Sequence, residues 1–294
     1  MAFEKTPLTT EQMIARLISH GMNINDLEIA KSILNQINYY RLSQYWFPFK
    51  VEGGETSTDY IYRNGTNFDE IVTIYEFDSD LRNILAQALE KFEVVLRREF
   101  SSVLSLKYDP FPHLDKKHYK LEEKWQSGLN SLTKAFNESK EEYVKHYKTK
   151  YPELQLPPIW VVAEISSFGY LSKTIENLVR VEDRQAIANR FFVDETIFCS
   201  SLKHLNLLRN FVAHHARVWN RRFFVRMQIP RNRKAKEHIQ HQFNLDSPDK
   251  IYNTLVLLDY YLACIGDEFK LLEKVQQLLI KYPTIDKKLM GFPA

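Results

Sequence analysis

A chain of 294 residues is long enough to bury a substantial core, in one large domain or two smaller ones. Its 44% apolar and 13% aromatic content excludes an intrinsically disordered chain, and a formal charge of +3 makes any affinity for nucleic acid depend on where the basic residues cluster. Eight glycines and little strand-like alternation favour an all-α protein.

The two cysteines, Cys199 and Cys264, sit in apolar helical contexts without metal-ligand spacing, which reads as buried free thiols in a reducing compartment. The opening MAFEKTPLTTEQ has no hydrophobic signal region, and no apolar run reaches the roughly 18–20 residues of a membrane span. The expectation is a soluble, cytoplasmic protein.

In chain order, Thr9 and Thr10 with Glu11 and Gln12 open a helix over MIARLISHG, which Gly21 ends. Asn25 or Asp26 then caps DLEIAKSILNQI. The aromatic stretch NYYRLSQYWFPFK is stopped by Pro48, and VEGGETSTDYIYRNGT, with its Gly-Gly and Asn-Gly signals, predicts a small hairpin or an irregular loop. From Asn67 to about Lys107 one long helix is expected, with Leu81, Leu85, Ala88, Phe92, Val95, Leu96 and Val103 recurring at helical steps. Asp109-Pro110 and Pro112 break it. A charged, arm-like helix follows over LEEKWQSGLNSLTKAFNESKEEYVKHY, until YPELQLPP interrupts. IWVVAEISSFGYLSKTIENL reads as one buried helix in which Gly169 allows close packing. Asp194 caps the next helix, PRNRKAKEH is a basic connector, and SPDKIYNTLVLLDYYLACI is the last strongly apolar helix.

Residues 208–223 read LRNFVAHHARVWNRRF. On a continuous helix, Leu202, Leu205, Leu208, Val212, His215, Ala216 and Trp219 share one side, while Asn206, Asn210, His214, Arg217 and Arg221 share another. His215 therefore reads as a structural histidine with one hydrogen bond, and His214 as the imidazole on the polar face. Arg209 lies between the stripes, about 140° of rotation from His214, so the two cannot stack directly. They can line one groove, or meet copies of themselves across a two-fold axis that Phe211 and Val218 would help to seal. An imidazole that moves a proton and a guanidinium that holds phosphate suit phosphodiester cleavage. A solvated polar face explains the same spacing.

Arg209-Asn210-Phe211-Val212-Ala213-His214 resembles the Arg-Asn-x-x-x-His signature of the HEPN superfamily of helical ribonucleases. INYYRLSQYWFPF, YEFDSDLRNILAQALEKFEVVLRREF, PPIWVVAEISSFGYLSK and RNFVAHHARVWNRRF occur in the order found in the abortive-infection Abi-like family of bacterial phage-defence proteins (the AbiD/AbiF type), which they resemble over most of residues 7–225. The resemblance implies a HEPN-type helical bundle with additional N- and C-terminal helices. It also implies metal-independent RNA cleavage, usually at a dimer interface, with no cofactor. By motif match, Arg209 binds phosphate, His214 is the catalytic imidazole and Asn210 orients the site.

On the long helix Asn83, Gln87, Glu90, Glu93 and Arg97 form a polar stripe. An ordinary surface ion pair accounts for Glu93 and Arg97, four residues apart, and their place in the family-like segment leaves Glu90 or Glu93 as a support for Arg209. The run Arg217, Arg221, Arg222, Arg226, Arg231, Arg233, Lys234 and Lys236 is nearly free of acids, with Trp219, Phe223 and Phe224 interleaved, a pattern suited to single-stranded RNA. The aromatics Tyr39, Tyr40, Tyr45, Trp46 and Phe49 around Arg41 read as core between helices rather than as a stacking platform. His113, His118, His146, His238 and His241 lack convincing ligand partners, so no metal site is expected.

These readings divide the chain into an aromatic helical segment, 1–66, and a HEPN-like domain, 67–294, with its basic segment at 217–241; one continuous domain is the alternative. The expected function is a metal-independent endoribonuclease in phage defence, a homodimer, leaving 2′,3′-cyclic phosphate and 5′-OH ends. The rival is a non-catalytic protein that holds a noncoding RNA or another partner on the same basic face. A purely structural interaction module is the third reading.

Overall fold

The structure, a computed structural model, describes residues 6–51, 60–229 and 242–293. Among these residues twelve α-helices are joined by turns and short 3-10 segments, with no strand, so the protein is all-α. The helices are α1 (Thr10–Ser19), α2 (Leu27–Gln36), α3 (Tyr39–Trp46), α4 (Phe68–Lys107), α5 (Glu122–Glu138) and α6 (Glu142–Lys150). They continue with α7 (Ile159–Ile165), α8 (Phe168–Asn177), α9 (Val181–Ala188), α10 (Glu195–Ala213), α11 (Ile251–Cys264) and α12 (Leu271–Lys281). The chain forms two compact units, residues 1–82 with 278–285 and residues 83–277 with 286–294.

In the first unit the helix starts follow their capping residues. Thr9 accepts from the Gln12 N–H at 3.3 Å while the Gln12 side chain accepts from the Thr9 N–H at 2.8 Å, a reciprocal box that satisfies two otherwise orphaned donors. Gly21, at φ +89°, turns the chain out of α1, and Asp26 accepts from the N–H groups of Glu28 and Ile29 at the start of α2. Ile14 and Leu17 of α1 and Ala30 and Leu34 of α2 are buried. Tyr45 and Trp46 of α3 are buried as core, while Tyr40 is exposed. The Tyr45 hydroxyl donates to Asp78 at 2.6 Å, and Asp78 pairs with Arg82, so a buried carboxylate is neutralised within the same unit. The ends of the expected hairpin or loop do meet: Lys50 and Tyr62 form an isolated antiparallel bridge, and the Val51 N–H donates to the Ile61 carbonyl at 3.0 Å. Residues 52–59 between them lie outside the described residues.

The second unit is organised around rings. Phe92 of α4 stacks on Tyr261 of α11 at 5.4 Å, and Phe191 lies within 5.1 Å of Phe92, Phe198 and Tyr261. Along α4 the buried stripe runs Leu85, Ala88, Leu89, Phe92, Leu96, Phe100 and Leu104; Val95 and Val103, expected on it, are only half-buried.

Two expected single helices are each a pair. The charged arm is α5 and α6, separated at 139–141, and α5 is no free arm, because Leu129, Leu132 and Phe136 are buried and it packs against α7 and α8. The buried helix after the prolines divides at Ser166 and Ser167. Ser166 is extended, and the Ser167 hydroxyl caps α8 by accepting from the Tyr170 N–H at 3.1 Å. Serine side chains compete with the helix for backbone groups, which is why this pair makes a boundary. Gly169 fits its expected role, since a β-carbon there would lie 3.3 Å from Asn206 Oδ1 on α10. Cys199 and Cys264 are free thiols, and burial pushes Cys199 up to about 11, a chemically quiet state. Among the described residues no helix is long and apolar enough to cross a membrane.

His113 is buried, and burial, which disfavours the imidazolium, lowers its pKa to about 4. Below the ordinary histidine value of about 6.5 the unfolded chain takes up a proton that the folded chain refuses. Stability is therefore complete at neutral pH and lost as pH falls from about 6.5 towards 4, by up to about 3 kcal/mol from this residue. Urea midpoints of the wild type should fall more steeply between pH 7 and pH 4.5 than those of His113→Phe. Parallel pH profiles would remove His113 as the cause.

Candidate active site

Helix α10 buries Leu202, Leu205, Leu208 and Val212, and this apolar stripe holds the opposite edge of the helix at the surface. Arg209 sits at that edge with 39% of its side chain exposed, and its Nε lies 3.9 Å from Glu93 Oε2 on α4. The other oxygen of Glu93 accepts from Arg97 Nη2 at 2.6 Å. Arg97 Nη2 also donates to the Ser166 carbonyl at 3.1 Å, and its Nη1 lies 3.9 Å from Glu164. Glu93 is therefore no surface residue: its side chain is 11% exposed, and its charge is shared by two guanidiniums. Ala86, Leu89, Glu90, Glu93, Val94 and Arg97 from α4 face Arg209, Val212 and Ala213 from α10 across a cavity of about 280 Å³. Glu90 and Glu93, either of which the sequence left as a support for Arg209, thus line the same space as Arg209.

The helix ends one residue before His214. The N–H of His214 donates to Asn210 O at 3.0 Å, that of His215 to Val212 O at 3.1 Å, and that of Ala216 to Phe211 O at 2.8 Å. With His215 left-handed at φ +53°, this is a Schellman closure, with a histidine where glycine is usual. Asn210, half-buried, contributes its carbonyl to the closure, and His214 is exposed at the C-cap. The continuous two-stripe helix expected through Arg221 is thereby corrected. His215 is exposed instead of lying on the apolar stripe, and Arg217 and Arg221 leave the face of Asn206, Asn210 and His214.

Beyond the helix the chain folds back over α10. His204 is buried: its Nδ1 donates to the Val225 carbonyl at 2.6 Å, and its Nε2 accepts from the Thr254 hydroxyl at 2.7 Å. A carbonyl can only accept, which fixes the tautomer, and burial lowers the pKa of this ring. Phe223 packs on the His204 ring at 4.8 Å, and Trp219 and Val218 are core. These three therefore neither stack on a base nor seal a two-fold contact. Phe224, 94% exposed, is the aromatic of this run that faces solvent.

The basic residues divide accordingly. Arg221 donates from Nε to the Arg217 carbonyl and lays its guanidinium 4.1 Å over the Phe211 ring. Arg222 is exposed, with Nε 3.8 Å from Asp249, and Arg226 is exposed. Arg231, Arg233, Lys234, Lys236, His238 and His241 lie outside the described residues. Sequence reading missed Lys250, which donates to Asn220 at 2.6 Å. Burial lowers its pKa, and the Arg222 and Arg217 charges push the same way. It stands too far along the chain from the motif for spacing to reveal it, as His204 was hidden by its ordinary helical context. Among the described residues, no group of three or more His, Cys, Asp or Glu is placed to hold a metal ion.

The left-handed position of His215 carries a stability consequence. A β-carbon there is unfavourable by about 1–2 kcal/mol, and the freedom glycine adds to the unfolded chain offsets about 0.4–1 kcal/mol of any relief. His215→Gly should keep or raise stability, by at most about 1.6 kcal/mol, in urea unfolding. A clear loss would mean that the side chain, rather than the backbone, matters at this position.

Residues 32–220 match the model of the family described as Abi-like protein, more than half of the chain, from α2 through the Arg209–His214 motif. Comparison with curated proteins and with solved structures gave no match. The family match on its own, spanning the cavity, the shared Glu93 and the helix end, shows that the chain belongs to the Abi-like protein family and supports a role in abortive infection.

Proposed function

We propose that this chain is a metal-independent endoribonuclease of the HEPN type, acting in abortive infection. One observation carries the reading. Arg209 is half-exposed and only loosely held through Nε, and the same helix ends in an exposed His214. A guanidinium in that state can grip a phosphate with its terminal amino groups. In the reaction the RNA's own 2′-oxygen bonds to phosphorus as the bond to the next nucleotide's 5′-oxygen breaks. The products are a 2′,3′-cyclic phosphate and a 5′-OH. His214 moves the proton lost by the 2′-hydroxyl towards the departing 5′-oxygen, Arg209 stabilises charge on the phosphate, and Asn210 orients the site. Because the nucleophile comes from the substrate, no metal-bound water is required.

One Arg209 and one His214 stand about 140° apart around their helix, so a complete site takes two copies of the chain related by a two-fold axis. Arg217, Arg221, Arg222 and Arg226, with the segment holding Arg231, Arg233 and Lys234, supply the backbone contacts that bind RNA, including a noncoding RNA or the target strand.

The test is RNA-end sequencing after expression of the wild type beside Arg209→Ala and His214→Ala. Cyclic-phosphate ends should appear only with the wild type, and purified protein should cleave in excess EDTA. Excess His214→Ala protein should suppress wild-type cleavage beyond simple dilution. Intact RNA that is nonetheless bound would establish the binding-only reading instead. Neutralising Arg222 and Arg226 together should weaken binding and lower the slope of log K against log salt by about 0.7 per lost phosphate contact. An unchanged slope would return these residues to a solvated surface.

A further inference from the structure

We propose that Arg97 is a positioning residue for Arg209: by occupying one oxygen of Glu93 it prevents that carboxylate from locking Arg209 away from its ligand. The proposal rests on the reading that Arg209 binds phosphate, but its geometry stands apart from that reading. Glu93 offers two oxygens to two guanidiniums. Arg97 takes Oε1 at 2.6 Å, while Arg209 reaches Oε2 only through Nε, at 3.9 Å. A carboxylate engages one guanidinium fully through two parallel N–H donors, so full pairing with one arginine is exclusive of full pairing with the other.

Three features favour Arg97 as the tight partner. It lies four residues after Glu93 on the same helix, the favourable order for such a pair. Its Nη2 is also anchored by the Ser166 carbonyl, freed because α7 ends at Ile165 and Ser166 is extended. Its Nη1 lies near Glu164, and its side chain is only 20% exposed. Arg209 has twice that exposure and opens on the cavity beside α4. Arg97 thus meets two carboxylates, Glu93 and Glu164, while Arg209 meets Glu93 only loosely, so the more exposed arginine is the one placed to present its charge to an anion.

Removal of Arg97 should therefore let Glu93 capture Arg209. The direct readout is the Nε–H resonance of Arg209 in the full chain, assigned by its disappearance in Arg209→Ala. Exchange of this proton with water should be fast in the wild type and at least tenfold slower in Arg97→Met. It should return to the wild-type rate in Arg97→Met/Glu93→Gln, because a neutral amide holds a guanidinium weakly. Arg97→Lys, which keeps a cation on Glu93, should behave as the wild type and serves as the folded control. With an RNA oligonucleotide, Arg97→Met should raise KM or Kd about tenfold, with relief by Glu93→Gln.

Unchanged exchange in folded Arg97→Met overturns the proposal, whether or not the protein cleaves RNA. So does slowed exchange that Glu93→Gln leaves in place, which would mark Arg97 as a packing residue. Exchange that behaves as stated, with RNA affinity and cleavage indifferent to Arg209→Ala, would uphold the competition and overturn the proposed function.

Discussion

A single buried carboxylate shared by two arginines is the constraint around which the candidate site is arranged. Glu93 is nearly out of water, and an ionised carboxylate there is tolerable only when paired and hydrogen-bonded. Arg97 satisfies that requirement within α4 itself. Arg209 comes from α10, so its distance from Glu93 is set by how closely α10 and α4 sit within the second unit. That spacing depends on Phe92, Phe191, Phe198 and Tyr261, whose rings fill the core, while Gly169, which admits Asn206, lets α8 approach α10. Packing that carries no charge thus fixes whether a charge–charge contact is close or loose. At the observed 3.9 Å it is loose, and a loosely held arginine is the chemically useful kind.

The second constraint is how α10 stops. No glycine or proline directly follows Ala213, yet the chain turns left-handed at His215, and two reversed hydrogen bonds close the helix. Each such bond contributes on the order of 1 kcal/mol, enough together to offset a β-carbon in the left-handed region. This closure separates the two adjacent histidines. His214 keeps helical register, one residue past the end, while His215 turns with the chain. It also sends Val218, Trp219 and Phe223 back into the core, so that cations and Phe224 are what remains at the surface of the run.

Periodicity made the long elements legible. The stripe on α4, the caps at Thr9 and Asp26, and the apolar face of α10 all follow from local spacing and local hydrogen bonding, which a sequence states directly. Motif resemblance singled out Arg209, Asn210 and His214, and the structure places Glu90 and Glu93 on one cavity with Arg209. The breaks at 139–141, at Ser166–Ser167 and after Ala213 were not legible. In each, weak local preferences are decided by what packs against the segment, and serine or histidine carries no fixed stop signal. The sequence left Glu93 open between a surface ion pair and a support for Arg209 for a related reason: its four-residue spacing to Arg97 fits an exposed pair equally well. His204 was invisible because both of its partners, Val225 and Thr254, are remote in sequence.

The matched family segment ends at Asn220, but the conformation of its last residues is completed further along the chain. The Phe223 N–H donates to the Asp249 carbonyl at 2.8 Å, Lys250 holds the Asn220 side chain, and Thr254 holds His204, which in turn holds the Val225 carbonyl. These contacts converge on the start of α11, whose apolar residues are buried in the same core as α10. Residues 220–225 are therefore fixed at several points by an element outside the matched span, and the helix end at His214 is held from both sides. The basic residues inherit their placement from this arrangement: Arg222 faces Asp249, and Lys250 comes close enough to Arg217 and Arg222 to feel their charge. Asp249 offsets part of that charge, and Arg217, Arg222 and Lys250 together leave this corner net positive.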